Sequence, residues 1–209
     1  MLSHRSRLIV PTILGLALVL AGEAKAAFIT YTITTAGSGR LGSDNFLGAV
    51  TLTFVGDTSN VVNAQPGVFY NSLGTATVSI AGLGTATFTT PISVYAYQPG
   101  SAVGFFNGSS FSASNYSLGI LNLTGAAAYA TYDLKSSFGP VVGTGFTSFT
   151  TAGFATDRGV FVFPPPNGPN AGTFTASLSA VPEPGSIVML STGAFGLIGY
   201  GWRRRHRVR

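Results

Sequence analysis

The stretch Phe28-Ile29-Thr30-Tyr31-Thr32-Ile33-Thr34-Thr35 alternates apolar and hydroxyl-bearing side chains from one residue to the next. A repeat of two residues places alternate side chains on opposite faces of a β-strand, so Ile29, Tyr31 and Ile33 are expected to face a core. The threonines between them are expected to face water, and their branched side chains suit a pleated surface. This stretch therefore predicts a half-buried strand.

The same alternation recurs elsewhere in the chain, and each further copy predicts another strand. The matching segments are residues 49–55, 75–80, 85–89 and 173–179. In the last of these, Phe174, Ala176 and Leu178 share the apolar face. Hydroxyl residues again occupy the other face, as expected for sheets that pack on one side only.

A short repeat in the middle of the chain predicts a hairpin. The sequence Leu-Gly-Thr-Ala-Thr occupies residues 73–77 and again residues 83–87. The two copies flank Ala81-Gly82, which suits a short turn between antiparallel strands. Two copies are too few for a solenoid.

The remaining segments are weaker signals. Further strands are predicted near residues 92–97, 102–106, 116–123, 127–134 and 159–163. Residues 136–151 are rich in Gly, Ser and Thr and predict a loop with one short strand at most. The proline-rich residues 163–169 predict an exposed connection or polyproline II, with a docking segment as the alternative.

Many short strands separated by turn residues are typical of an all-β fold. We expect an antiparallel β-sandwich or a partly closed barrel in one extracytoplasmic domain, residues 27–180. An N-terminal signal helix, residues 1–26, and a C-terminal transmembrane helix within residues 181–209 are expected to flank this domain.

The N-terminal segment has the three parts of a secretory signal peptide. Arg5 and Arg7 precede an apolar stretch at residues 8–21, and Ala24-Lys25-Ala26 fits the small-x-small cleavage rule. Signal peptidase is therefore expected to cut before Ala27. The alternative is a retained N-terminal anchor.

The C-terminal segment combines a stiff motif, an apolar span and a basic end. Val181-Pro182-Glu183-Pro184 is expected to be extended, because each proline fixes φ and restricts the residue before it. Residues 186–202 carry no charge and as a helix would span about 25 Å. The basic residues that follow are expected to stop transfer and stay cytoplasmic: Arg203, Arg204, Arg205, Arg207 and Arg209.

This tail resembles the PEP-CTERM sorting signal of Gram-negative bacteria that produce exopolysaccharide. The resemblance is carried by residues 182–184, the span at 187–201 and the arginine cluster. It implies recognition by an exosortase, transient insertion in the inner membrane, removal of the tail and a cell-surface or extracellular destination. The same segment also occurs on some ice-binding proteins. The alternative is an ordinary single-span anchor with a proline-containing stalk.

Charge and composition exclude several classes of partner and chemistry. The whole chain has a net charge of +5, but residues 27–180 contain three basic and four acidic side chains. No basic patch is available there for nucleic acid. The chain has no Cys, so no disulfide can form, and its two histidines, His4 and His206, both lie in the targeting segments.

The acidic residues are the remaining candidates for chemistry, because residues 27–180 lack His, Cys and Glu. Asp44 and Asp57 occupy ordinary turn positions, with calcium ligation as the alternative. Asp133 beside Lys135, and Asp157 beside Arg158, are expected to be solvated edge charges. The sequence predicts a protein that is not an enzyme and has no cofactor or dedicated metal site.

Two further patterns allow a binding role. Aromatic residues are plentiful between positions 95 and 132, and they predict core packing, with a carbohydrate-binding strip as the alternative. The Thr-x-Thr pairs at 30/32, 75/77 and 85/87 predict solvent-facing strand residues, with a flat hydroxyl array as the alternative. Asn107, Asn115 and Asn122 each begin a glycosylation-acceptor triplet.

These observations predict an exported structural or adhesive protein associated with exopolysaccharide or biofilm. Signal peptidase and exosortase are the expected partners during export, and exopolysaccharide is the expected partner afterwards. The competing classes are a carbohydrate-binding module assisted by calcium and a secreted Asp-dependent hydrolase.

Overall fold

A computed structural model describes residues 27–111, 119–146, 153–164 and 170–179 of the chain. These residues form thirteen β-strands joined by turns and short 3-10 segments, with no α-helix among them. None of the helical segments within these ranges has the length and apolar character needed to cross a membrane. The predicted signal helix and transmembrane helix both lie outside the described residues.

Two long strands and eleven shorter ones make up the domain. Their bounds are β1 Phe28–Leu41, β2 Asp44–Asp57, β3 Val62–Gln65, β4 Val68–Asn71, β5 Gly74–Ile80, β6 Gly84–Thr87, β7 Ile92–Tyr97, β8 Ala102–Asn107, β9 Gly119–Thr124, β10 Phe138–Phe146, β11 Phe154–Thr156, β12 Gly159–Val162 and β13 Asn170–Ser179. The 3-10 segments are Thr58–Asn60, Gln98–Gly100 and Ala127–Thr131.

The strands form one hydrogen-bonded path. Its order is β3-β4-β7-β8-β9-β10-β13-β1-β2-β5-β6, and the β11–β12 hairpin attaches to β1 through β12. The strand pairs whose register the structure defines are antiparallel throughout. The predicted all-β antiparallel class is confirmed.

The alternation that predicts the first strand is confirmed in β1. Ile29, Tyr31 and Ile33 are fully buried, while Thr30, Thr32 and Thr34 on the other face are accessible to solvent. Strand β2 runs antiparallel to β1 over its whole length, from Phe28 opposite Asp57 to Leu41 opposite Asp44. The pair β1–β2 therefore forms the longest ladder of the described sheet.

The buried faces of the two halves of the path share one core. Leu52 and Phe54 of β2 belong to the same packed cluster as Val94 of β7 and Phe105 of β8. Strands far apart in the sheet order thus pack face to face, which gives the sandwich-like arrangement expected from the sequence. Burial of these side chains is the main favourable term in folding.

The predicted strand at residues 127–134 is wrong. Residues Ala127–Thr131 form a 3-10 segment, and a turn follows it. Three residues per turn place Tyr129 and Tyr132 on the same side, and both are buried. A strand would have sent these two side chains to opposite faces.

The described part of the loop predicted at residues 136–151, which ends at residue 146, is largely a strand and longer than the one short strand that was expected. Phe138–Phe146 forms β10, nine residues long. A Cβ added at Gly143 would lie 2.9 Å from the carbonyl oxygen of Thr124 and 3.0 Å from the Tyr129 ring. Glycine here allows close packing within the sheet, whereas in the sequence it indicates a loop.

Three smaller comparisons concern one side chain of β13, two short strands and the predicted hairpin. Leu178, predicted to share the buried face of β13 with Phe174 and Ala176, is 40% exposed. The short strands β3 and β4, which the sequence did not predict, follow the turn at Thr58–Asn60. The predicted hairpin at Ala81-Gly82 is confirmed, with Ile80 opposite Gly84.

Candidate functional site

The sequence-predicted targeting residues fall almost entirely outside the described residues. This holds for the sorting motif Val181, Pro182, Glu183 and Pro184, the stop-transfer residues Arg203, Arg204, Arg205, Arg207 and Arg209, and the cleavage residues Ala24 and Ala26. Ala27, the predicted first residue of the mature chain, is described, and its carbonyl accepts a hydrogen bond of 3.0 Å from the Thr58 amide.

Asp57 and Asp133 each stabilise a local turn. Asp57 precedes the 3-10 segment Thr58–Asn60, and its carboxylate accepts a hydrogen bond of 2.7 Å from the Ser59 amide. The carboxylate of Asp133 accepts one of 3.0 Å from the Lys135 amide. Both bond to a backbone amide two residues ahead, which is the ordinary role of Asp in turns. The turn interpretation of Asp57 is confirmed.

Asp157 and Arg158 are exposed but are more than solvated edge charges. The Asp157 carboxylate accepts a hydrogen bond of 2.9 Å from the Thr87 amide, and the Asp157 amide donates one of 2.9 Å to the Thr87 carbonyl. The Arg158 guanidinium donates to the carbonyl of Leu83. We call these contacts the turn clamp. It attaches the turn between β11 and β12 to β6, which the sequence could not indicate because the partners lie about seventy positions apart.

The carboxylates do not converge on one point. Within the described ranges, no group of three or more His, Cys, Asp or Glu side chains lies close enough together to hold a metal ion. In the described part of the chain, the Asp44 carboxylate accepts its side-chain hydrogen bond from the Ser43 hydroxyl, at 3.4 Å. The four aspartates therefore present no shared ligand set in this part of the chain.

Most of the aromatic side chains proposed for a carbohydrate strip are core residues. Tyr95 stacks on Phe111 with ring centroids 4.2 Å apart, and Phe106 meets Phe111 edge-on at 5.0 Å. These three rings are at most 3% exposed and form a second small core with Val68 and Ala102. A sugar could stack on them only after the core opened, so the core interpretation is confirmed for these residues. Tyr116 lies outside the described residues.

Three buried tyrosines hydrogen-bond the chain between residues 134 and 141. Tyr31 donates to the Leu134 carbonyl at 2.6 Å, Tyr132 to the Ser136 carbonyl at 3.1 Å, and Tyr129 to the Val141 carbonyl at 3.0 Å. Burial raises the pKa of the Tyr129 hydroxyl to about 12. Burial also raises the pKa of Tyr31, where a hydrogen bond with Asn71 opposes the rise and the charge of Asp133 adds a smaller increase. Burial raises the pKa of Tyr132 as well, followed by smaller contributions from Tyr31 and Asp133.

Threonines predicted to face solvent line up across four strands. Thr32 of β1 lies opposite Thr53 of β2, which lies opposite Thr77 of β5, which lies opposite Thr87 of β6. None of the four is buried. One member of each Thr-x-Thr pair seen in the sequence, namely Thr32, Thr77 and Thr87, therefore belongs to a single row that crosses the sheet.

Two neighbouring rows extend this array. The second row contains Thr34, Thr51, Ser79 and Thr85, and the third contains Thr30, Val55 and Thr75. The Thr34 and Thr51 hydroxyl oxygens are 3.2 Å apart, within hydrogen-bond distance. We call these three rows the hydroxyl face. It combines ten hydroxyl residues with one Val, and its side chains are at least partly exposed.

The interior of the hydroxyl face carries no formal charge, because its residues are Thr, Ser and Val. Asp57, opposite Phe28, lies just beyond the third row. Asp157 and Arg158 lie beside β6, where both are bonded to backbone in the turn clamp. Arg40 is six residues beyond Thr34 at the far end of β1, opposite Asn45.

A groove continues from one edge of the hydroxyl face. It encloses about 480 Å³, and Thr75 and Thr87 belong to both the face and the groove. Leu73, which is 64% exposed, also lines it. A second, more open groove of about 560 Å³ lies near Arg40 and Asn45, away from these rows.

The glycosylation-acceptor triplets differ in access. Asn122 is fully buried on β9 opposite Gly104, and neither polar atom of its carboxamide has a hydrogen-bond partner among the described residues. Gly104 and Gly119 crowd this side chain so closely that neither position has room for a Cβ. Asn107, at the end of β8, is exposed, and Asn115 lies outside the described residues.

The described residues define the class of the domain, which is all-β, whereas the C-terminal tail carries the information on the destination of the chain. Residues 180–205 match the PEP-CTERM protein-sorting motif. A chain with this motif is an exported surface protein that an exosortase processes, and the resemblance found in the tail is confirmed. No curated protein and no solved structure matches the chain.

Proposed function

We propose that this protein is a non-enzymatic structural or adhesive component of the extracellular matrix, associated with exopolysaccharide. The observation that carries the proposal is the sorting motif at residues 180–205, because it directs the domain to the surface of the cell. The proposed destination is the surface or surroundings of a Gram-negative bacterium, where polysaccharide is the abundant polymer.

The proposed route has two cleavage steps. Signal peptidase removes residues 1–26 and leaves Ala27 at the start of the mature chain. The apolar span then holds the protein in the inner membrane for a time, with the arginines after residue 202 on the cytoplasmic side. Exosortase cleavage at the Val181–Pro184 motif releases the domain.

The chemistry of the domain supports a role without catalysis. Residues 27–180 lack His, Cys and Glu, which removes the usual general bases and thiol nucleophiles. Three of its four aspartates bond to backbone amides, at Ser59, Lys135 and Thr87. Their carboxylates stabilise turns, which is a sufficient reason for their presence.

A complementation experiment tests the matrix role. A strain lacking the gene is complemented with the wild-type gene or with a variant carrying Asn at all four aspartates. Asn retains the acceptor oxygen that the turns require but cannot act as a carboxylate acid or base. We expect both genes to restore the same amount of matrix-bound polysaccharide.

Three results would contradict the proposal. A folded Asp-to-Asn variant that fails to restore the matrix would indicate an Asp-dependent hydrolase. Thermal stabilisation of the wild-type protein by calcium, reversed by a chelator, would indicate the calcium-assisted module. Equal amounts of matrix in the deletion and wild-type strains would exclude a structural role.

A further inference from the structure

We propose that the hydroxyl face binds a neutral, soluble polysaccharide chain. The inference rests on the proposed matrix function and assigns that function a contact surface. It depends on the cross-strand register, which brings threonines from four separate segments into adjacent rows.

The dimensions of the face suit several sugar units. Neighbouring strands are about 4.8 Å apart, so four strands span about 14 Å. Alternate residues along a strand are about 6.7 Å apart, so three rows extend for about 13 Å. Thr32, Thr53, Thr77 and Thr87 thus offer a line of groups across the strands, with parallel lines on either side.

The side chains of this face match the two kinds of surface that a sugar presents. Each threonine hydroxyl both donates and accepts a hydrogen bond, as sugar hydroxyls do. Each threonine methyl, together with Val55, provides apolar area for the C–H groups of a sugar ring. Individual contacts of this kind are weak, so affinity requires many of them along a chain.

Charge favours a neutral polymer over an acidic one. Uronate or sulfate groups placed on the face would lose hydration without meeting a cation, which is costly. The carboxylates beside the face, Asp57 and Asp157, would repel them, and the cation beside it, Arg158, already donates to the Leu83 carbonyl. A neutral glycan has neither penalty.

Sheet twist favours a flexible chain over a rigid surface. Adjacent strands are usually rotated by about 20–25°, which accumulates to about 60–75° across four strands. A saddle of this kind does not match the plane of an ice crystal or of crystalline cellulose. A single chain can follow the twist and continue into the groove lined by Thr75, Thr87 and Leu73.

The test is affinity electrophoresis of the processed protein through gels containing dextran, with alginate gels in parallel. The face variant replaces Thr32, Thr53, Thr77 and Thr87 by Val, which removes four hydroxyls while retaining branched side chains suited to strands. The control variant replaces Thr58, Thr124, Thr131 and Thr144 by Val, all of which lie away from the three rows. A single T53E variant, with its fold checked by circular dichroism, serves if the fourfold variant does not fold.

We expect dextran to retard the wild-type and control proteins, with at least tenfold weaker retardation of the face variant and of T53E. Equal retardation of the wild-type protein and folded face variants would overturn the assignment of the face but leave the matrix function standing. No retardation of the wild type by any polysaccharide, together with failure of complementation, would overturn both. Retardation by alginate alone, or adsorption only to ice or crystalline cellulose, would overturn the choice of a neutral soluble chain.

Discussion

The hydroxyl of Tyr31 donates a hydrogen bond of 2.6 Å to the carbonyl of Leu134, which lies 103 positions further along the chain. Both residues are fully buried. The bond joins the first strand of the sheet to the turn that follows the 3-10 segment Ala127–Thr131. It fixes a non-local contact that packing alone would leave less specific.

Replacing Tyr31 by Phe should lower the free energy of unfolding by about 1–3 kcal/mol, because the buried Leu134 carbonyl would lose its partner. Urea unfolding checks this value. The matched control is Y70F, because Tyr70 is only partly buried and its hydroxyl forms no hydrogen bond within the described residues. Equal stabilities of Y31F and Y70F would contradict the interpretation.

Stability should fall in alkali because of the buried tyrosines. Tyrosine in the unfolded chain has a pKa near 10, and burial raises the pKa of Tyr31, Tyr129 and Tyr132 in the folded protein. Above pH 10 the unfolded chain therefore binds fewer protons than the folded one, and raising the pH favours unfolding. Their contribution is complete below pH 10 and is lost as the pH rises from there towards the folded-state pKa values.

The free energy of unfolding should fall by about 1.4 kcal/mol per pH unit for each tyrosine that stays protonated only in the folded state. Urea unfolding at intervals from pH 9 to pH 12 measures it, with tyrosinate absorbance as an independent probe. The Y132F variant should show a smaller slope. A free energy of unfolding that stayed constant from pH 10 to pH 12 would contradict this account.

The turn clamp predicts a role for an exposed carboxylate. D157A should reduce stability by about 1 kcal/mol and speed hydrogen exchange at the Thr87 amide, because that amide loses its acceptor. D157N should retain most of the stability, since its side-chain oxygen still accepts. D44A is the control and should change neither quantity, and a similar effect at both positions would argue against the clamp.

Local pattern was sufficient to predict the strands whose two faces meet different environments. In β1, the alternation of Ile29, Tyr31 and Ile33 with threonines directly reflects one buried and one exposed face. The β5–β6 hairpin was equally clear because its turn is local, with Ile80 opposite Gly84. The structure of two segments was predicted wrongly, because small residues and glycines carry little periodic signal: the 3-10 segment Ala127–Thr131 and the strand β10.

The hydroxyl face could be predicted only in part. The Thr-x-Thr pairs showed which side chains share the face of one strand, but not which strands are neighbours. Strand β2 pairs with β5 and not with β3, which follows it in the chain. Thr53 therefore lies opposite Thr77 although β3 and β4 separate the two strands in the sequence. Register of this kind is determined by tertiary packing, which a local pattern does not contain.

Intact mass spectrometry of the native protein, recovered separately from the cell surface and from the cell interior, tests the central claim most directly. We predict a surface product that begins at Ala27 and ends within the Val181–Pro184 motif, and we predict that this second cut disappears in cells without the exosortase. Recovery of the uncut 209-residue, 21.4 kDa chain from the cell interior as the sole product would contradict the account.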